Sequence, residues 1–181
     1  MTRTLVVVDI QNDYFPGGAY PLVGATEAGA AAASVLAAFR RSGDPVVHVQ
    51  HIWDAPDAPF MRPGTPGVEI NPVVAPVPGE PVVTKSAPNA FVGTELATLL
   101  DRDSTIVVLG MMTSMCVDST VRSAISRDYD VVVVSDGHTL SDRPHLDAPT
   151  IIRHHNWVGS DLLTNRSTRV ATTRELLAEQ R

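Results

Sequence analysis

Apolar positions in this chain fall into short, β-branched runs, separated by stretches whose apolar residues recur at helical spacing. Leu5-Val6-Val7-Val8 is apolar at every position, and the run continues through Asp9 to Ile10. A strand apolar on both faces suits the centre of a parallel sheet covered by helices. Gln11 to Gly18 then breaks it into a loop. An alanine-rich segment from Thr26 to Arg41, closed by Ser42-Gly43, predicts a helix. Further strands are predicted at Pro45–His51, Val82–Thr84 (ending at Lys85), Thr105–Leu109, Asp130–Ser135 and Thr168–Ala171. Further helices are predicted from a Thr94 cap to Leu100, over Val117–Arg127 and around Pro149–Trp157. A last helix is opened by the capping box Thr172-x-x-Glu175. The segment after Asn156 carries fewer apolar residues than a core helix needs.

Strand and helix alternate throughout. The pattern predicts one α/β domain over residues 1–181, with a doubly wound, mainly parallel six-stranded sheet and helices on both faces. Ligands of such sheets bind beyond the carboxyl ends of the strands, where the strand order reverses. Asp9, Lys85 and Cys116 all follow strands and so share that edge. From Ile52 to Pro81 the chain holds eight prolines and three glycines with no usable period. That reads as a long ordered loop of functional character rather than a linker. Prolines lower the entropy lost on ordering, so the loop is expected to form a rigid apolar wall. Such a wall favours a compact, partly flat ligand held without a charged clamp.

Composition narrows the chemistry. With 181 residues, 44% hydrophobic and 19% charged, the chain reads as an ordinary soluble domain. A formal charge of −6 with scattered basic residues offers no footprint for nucleic acid. The longest apolar tract, Ala28 to Phe39, is too short to span a bilayer. Met1-Thr2-Arg3-Thr4 leads at once into a strand, which leaves no room for a signal peptide and makes the cytoplasm the expected compartment. One cysteine excludes an intramolecular disulfide and a multi-cysteine zinc site.

That cysteine, Cys116, sits where the fourth strand hands over to a helix. Unpaired N–H groups and the helix dipole at such a junction favour a thiolate, the nucleophilic form. Most free cysteines, however, are simply small buried hydrophobes. Asp9 follows three valines and could act as a base, or merely fix a loop. Lys85 alone would usually be a solvated lysine; beside Asp9 and Cys116 it would lower the thiol pKa. Together the three suggest a nucleophile, a base and a compensating cation. No histidine neighbours the cysteine in sequence, although His138 or His155 could approach it in space. Phe15, Trp53, Phe60 and Phe91 are candidate substrate walls.

Val7-Val8-Asp9-Ile10-Gln11-Asn12-Asp13-Tyr14-Phe15 resembles the opening motif of the isochorismatase-like cysteine hydrolases. Gly64 to Ile70, Val83 to Phe91 and Gly110 to Val117 resemble later blocks of that superfamily, in order. The resemblance implies an Asp9, Lys85, Cys116 triad, a non-proline cis peptide at Met111–Met112, and an oxyanion hole made by the amides of Met112 and Cys116. It further implies hydrolysis of a C–N bond in a small carboxamide or cyclic amide through a thioester, with no cofactor, and self-association into a homo-oligomer. Nicotinamidases of the superfamily bind a metal through an Asp-x-His pattern and a later histidine. Here the equivalent region is His48-Val49-Gln50-His51-Ile52-Trp53-Asp54, where His51 and Asp54 supply two ligands at most and a third is not evident. A metal-assisted nicotinamidase is therefore the near alternative. A nucleotide-binding module or a catalytically silent, partner-binding domain is the distant one, and no Gly-x-Gly-x-x-Gly follows a strand.

Overall fold

A computed structural model describes residues 2–162 and 164–179. Met1, Leu163, Gln180 and Arg181, which fall in the N-terminal and C-terminal stretches discussed above, lie outside the described residues. The strands are β1 (Arg3–Val8), β2 (Val46–His51), β3 (Val82–Lys85), β4 (Thr105–Met111), β5 (Asp130–Thr139) and β6 (Thr168–Ala171). The helices are α1 (Ala25–Ser42), α2 (Leu96–Leu99), α3 (Asp118–Ser126), α4 (Ala148–Ser160) and α5 (Thr173–Ala178).

All six strands are parallel, in the order β3-β2-β1-β4-β5-β6. The continuous apolar runs explain this. Leu5, Val7, Val107, Leu109, Val132 and Val134 point to one face and join Val35, Leu36 and Phe39 of α1 and Leu176 of α5. Val6, Val8, Ile106, Val108, Val131 and Val133 point to the other and meet Leu96 of α2 and Val121 and Ala124 of α3. Burying each such side chain is worth roughly 1.5–3 kcal/mol, so both faces of the central strands drive the fold.

Winding reverses between β1 and β4, and the crevice beyond their ends is the natural ligand position. The two strands approach closely at Gly110, whose φ is +131° and where a Cβ would overlap the Val8 carbonyl. β4 and β5 run further than expected, to Met111 and Thr139. A register shift between Val108 and Gly110 carries β5 past Asp136 and Gly137, which end the apolar run. Asp136 Oδ1 instead accepts from the Thr173 amide and hydroxyl, tying β5 to the start of α5.

The segment after Asn156 gains its burial from a sixth strand and a short helix rather than from one long core helix. β6 pairs with β5, Leu176 enters the first core, and the capping box of Thr172 and Glu175 opens α5. α2 is shorter than predicted: Glu95 takes the cap position, the Thr94 hydroxyl donates to the Ala90 carbonyl and accepts from Leu96 N, and Leu100 is already extended.

Candidate active site

Four side chains converge beyond the carboxyl ends of four neighbouring strands. Asp9 directly follows β1 with φ +50° and is fully buried. His51 ends β2 and Lys85 ends β3. Cys116 lies in a single π-turn, Thr113–Val117, between β4 and α3. Val117 N donates to Met112 O at 3.2 Å, and Asp118 N donates to Thr113 O, both spanning five residues. Such turns widen a helix locally and recur at functional sites. The Met111–Met112 peptide that leads into it is cis.

Lys85 Nζ is the hub of the cluster. It lies 2.7 Å from Asp9 Oδ2, 2.8 Å from His51 Nδ1 and 3.3 Å from Cys116 Sγ. Neither oxygen of Asp9 accepts a well-directed hydrogen bond, which leaves the buried carboxylate with acceptor capacity facing the cluster. A buried ion pair of this kind contributes little net stability, because desolvation offsets the attraction.

Burial pushes the Cys116 thiol up to about 12; the Asp9 carboxylate adds to the rise and the Lys85 ammonium opposes it. This reverses the expectation of a resting thiolate. The lysine's charge is already engaged by Asp9, and the sulfur sits in an apolar environment next to a carboxylate. Burial, and then the Lys85 charge, lowers the His51 pKa. His51 is thus neutral near pH 7, with Nδ1 accepting from Lys85 and Nε2 carrying the hydrogen.

The loop after β1 stitches the long proline-rich loop over this cluster. Gln11 Nε2 donates to His51 O at 2.8 Å and to Val68 O at 2.6 Å, while its Oε1 accepts from His51 N at 2.8 Å. Asn12 Nδ2 donates to Pro66 O at 2.8 Å, and Asn71 Nδ2 donates to Asn12 Oδ1 at 3.0 Å. Asp13 accepts from Ala19 N at 3.1 Å and Met61 N at 2.6 Å. Gly67 packs so tightly on that carboxylate that a Cβ would overlap it.

These loops enclose a cavity of about 230 Å³ beside Cys116, walled by Tyr14, Trp53, Phe60, Pro88, Met112 and Met115. Phe60 organises the aromatic wall, stacked 4.7 Å from Tyr20 and edge-on to Trp53 at 5.4 Å between centroids. Tyr14, which no sequence pattern singles out, also lines the cavity. Burial, above all, raises its hydroxyl beyond the ordinary phenol range, which makes it a neutral donor at the cavity.

Trp53 and Phe60 thus line the cavity, whereas Phe15 and Phe91 do not. Phe15 packs against Gly29 of α1, where the missing side chain leaves room for its ring. Phe91 belongs to the second core, 6.4 Å from the Tyr129 ring and under the Arg127 guanidinium. His138 supports the cysteine turn from behind. Asn156 Nδ2 donates to Ser135 O, so its Oδ1 accepts from His138 Nε2 at 2.9 Å and His138 Nδ1 accepts from the Thr113 hydroxyl at 2.9 Å. His155 pairs with Asp118 on α3, 3.4 Å away.

The His51–Asp54 pair does not grow into a metal site. Asp54 faces a depression of about 320 Å³ that it shares with Lys85 and Ser86, whereas His51 faces the cavity beside Cys116. Among the described residues the one group of three potential donors is Asp9, His51 and Cys116, within 4.8 Å of one another. Lys85 Nζ contacts all three, and an ammonium there opposes a cation, so these residues do not fit a metal.

An isochorismatase domain model matches residues 3–164. The chain belongs to the isochorismatase family. The uncharacterised family member YddQ of Bacillus subtilis is 46% identical over 138 residues, 75% of this chain and 77% of that protein. Ureidoacrylate amidohydrolase RutB of Methylobacterium radiotolerans is 31% identical, over 75% of this chain and 66% of that protein. The crystal structure of a cysteine hydrolase from Pseudomonas syringae pv. phaseolicola superposes with a TM-score of 0.87 at 25% identity, covering 98% of this chain and 92% of that one. The isochorismatase-family relatives support a hydrolytic role. No helix among the described residues is long and apolar enough to cross a membrane.

Proposed function

We propose that this family member is a cysteine-dependent amidohydrolase that cleaves a C–N bond of a small carboxamide or cyclic amide through a thioester, with Asp9, Lys85 and Cys116 as its catalytic residues. The observation that carries the reading is the three-way contact of the Lys85 ammonium with Asp9, His51 and Cys116 at the wall of an aromatic cavity.

In the resting state the thiol holds its proton and Asp9 is the acceptor. As Cys116 Sγ attacks the amide carbon, the S–H proton passes to Asp9 and the carbonyl electrons move onto oxygen. Lys85, in contact with both groups, offsets the negative charge as it moves from Asp9 to the sulfur. The backbone amides of Met112 and Cys116 are the proposed oxyanion donors; removing one such donor typically costs about 10²–10³ in rate. Collapse of the intermediate breaks the C–N bond, and the nitrogen leaves with the proton from Asp9. A water then gives a proton to Asp9 and attacks the thioester. The sulfur departs, recovers that proton, and a carboxylic acid is released. In a cyclic substrate the amine stays tethered to the acyl group.

Two arguments favour this over a silent scaffold. A fully buried Asp–Lys pair is expensive to desolvate and a poor stabiliser, so its presence fits chemistry better than folding. RutB, an amidohydrolase by name, shares the family over most of this chain. The test is a panel of small linear and cyclic amides, followed by ammonia or amine release, with Cys116→Ala as control. Release from at least one member, lost in the variant, supports the proposal. Equal release by wild type and Cys116→Ala overturns it.

A further inference from the structure

We infer that His138 is a positioning residue for carbonyl addition: through Thr113 its imidazole holds the turn that presents Cys116 and the two amides that receive the substrate oxygen. The inference rests on the amidohydrolase reading for the reaction, but its test needs no amide. His138 is buried and takes no part in the proton transfers above.

The sheet departs from regularity to put it there. β4 and β5 pair as an even parallel ladder up to Val108 and Val133, and pair again at Gly110 and His138. Between those points β4 advances two residues and β5 advances five. Such irregularities are rare in parallel pairs, and next to active sites they re-aim a side chain. This one sets His138 opposite Gly110, just ahead of the turn Thr113–Val117.

From there a chain of hydrogen bonds joins three elements. Asn156 of α4 donates from Nδ2 to Ser135 O at 3.2 Å, which turns its Oδ1 towards His138 Nε2 at 2.9 Å. Nε2 therefore carries the hydrogen, and Nδ1 accepts from the Thr113 hydroxyl at 2.9 Å. Thr113 opens the turn. It is β-branched, so its χ1 is stiff, and fixing the hydroxyl fixes the backbone that carries it. The peptide it shares with Met112 bears the carbonyl that accepts from Met115 N at 3.0 Å and Val117 N at 3.2 Å. A rotation at Thr113 would thus move Met112, whose amide is one proposed oxyanion donor, and the residues flanking Cys116, which supplies the other. Close packing does not hold Thr113 on this side. A cavity of about 20 Å³, room for about one water, is lined by Thr113, Val117, Val121, Val133 and His138, so the directional bond sets the position.

The test uses carbon-13-labelled isobutyraldehyde, which adds to a thiol as an amide begins to. The sulfur–carbon bond forms, the carbonyl electrons move onto oxygen, and that oxygen takes up the thiol proton to give a hemithioacetal. The adduct, read by its carbon resonance and absent from Cys116→Ala, depends on the oxyanion donors, whereas alkylation by iodoacetamide does not. In His138→Phe, which keeps a ring without either nitrogen, aldehyde affinity should fall about tenfold or more, part of the 10²–10³ that a whole donor is worth. Thr113→Val should lose as much, and the double variant no more than either alone. His138→Asn, whose side-chain oxygen can accept from Thr113, should regain part, and Cys116 alkylation should stay close to wild type in all of them. Unchanged aldehyde affinity in the folded variants, or additive losses in the double, overturns the inference. So does a parallel fall in adduct and alkylation, which is what a merely structural histidine would give, and so does a wild type that forms no adduct. Should His138→Phe fail to fold, Thr113→Val decides alone, because it exchanges one hydroxyl for a methyl. Adduct formation without release from any amide of the panel would sink the amidohydrolase reading and leave this one standing.

Discussion

The ionisation of Cys116 gives a prediction that runs against the usual picture of a reactive cysteine. With its thiol pushed up to about 12 by burial and by Asp9, only about one molecule in 10⁵ carries a thiolate at pH 7. For an unperturbed cysteine of pKa about 8.5 the fraction is roughly 3%. The thiolate population is therefore about 3,000-fold smaller. A more basic thiolate is intrinsically more nucleophilic, with a Brønsted coefficient of about 0.4–0.5, which returns about 25- to 60-fold over that interval. The net expectation is iodoacetamide alkylation roughly a hundredfold slower than free cysteine near pH 7, still rising with pH beyond 9. Asp9→Asn removes the charge that adds to the rise and leaves the Lys85 ammonium in contact with the sulfur. Alkylation of that variant near pH 8 should accelerate by about tenfold or more, while turnover falls by roughly 10²–10⁴ through loss of the base. The assay is the pseudo-first-order alkylation rate against pH, followed by mass spectrometry of the Cys116 peptide. Restricted access scales every rate alike, so the position of the pH profile is the diagnostic. A wild-type profile that levels off at or below pH 8.5, or an Asp9→Asn profile shifted upward, would refute the reasoning.

Other outcomes follow from the supporting structure. Gly67→Ala should force the Asp13 carboxylate off Met61 N or Ala19 N, at about 1.5–3 kcal/mol for a charged hydrogen bond, and lower Tm by roughly 3–12 °C in a thermal melt. An unchanged Tm would mean that the proline-rich loop is not anchored there. Burial lowers the pKa of His48, His51 and His138, so the unfolded chain takes up protons first as pH falls below about 6.5. Their contribution to stability is full above that pH and is lost as pH falls through the lower folded values. Glu80, held by Arg40 at about 2, adds a second loss as pH falls from about 4.5 towards 2. Melting between pH 8 and 3 should show Tm dropping in that order, and a Tm that rises from pH 7 to pH 5 would contradict it. Lys85→Met should abolish turnover and, by removing the cation that opposes the rise, shift the Cys116 alkylation profile further up; a downward shift would remove Lys85 from the cluster.

Much of the scaffold was legible because parallel strands buried on both faces must be apolar throughout, as Leu5–Val8, Ile106–Leu109 and Val131–Val134 are. Strand ends were less so. β5 continues through Asp136-Gly137-His138, where a register shift and side-chain contacts replace the apolar pattern. Asp9, Lys85 and Cys116 stood out as polar groups that end strands or follow them. Their separations are set by strand order, which periodicity does not reveal. The role of His51 in contacting Lys85 was hidden for the same reason, since it depends on β2 lying between β1 and β3. Among the aromatics, sequence could not tell a cavity wall from core packing. Phe60 sits in a loop tied over the site by Asp13, whereas Phe91 turns into the second core beside Tyr129. The sign of the thiol shift is not legible in sequence, because burial and the nearby Asp9 charge outweigh the lysine and burial is a property of the folded state.

Trapping the covalent intermediate tests the cysteine mechanism most directly. Wild-type protein mixed with an amide from the panel that it turns over, and acid-quenched in the steady state, should gain the mass of the acyl group on the peptide that carries Cys116. The adduct should be released by hydroxylamine, as a thioester is, and be absent from Cys116→Ala. Steady turnover with no acyl adduct on Cys116, or turnover retained in Cys116→Ala, would contradict nucleophilic catalysis by this residue.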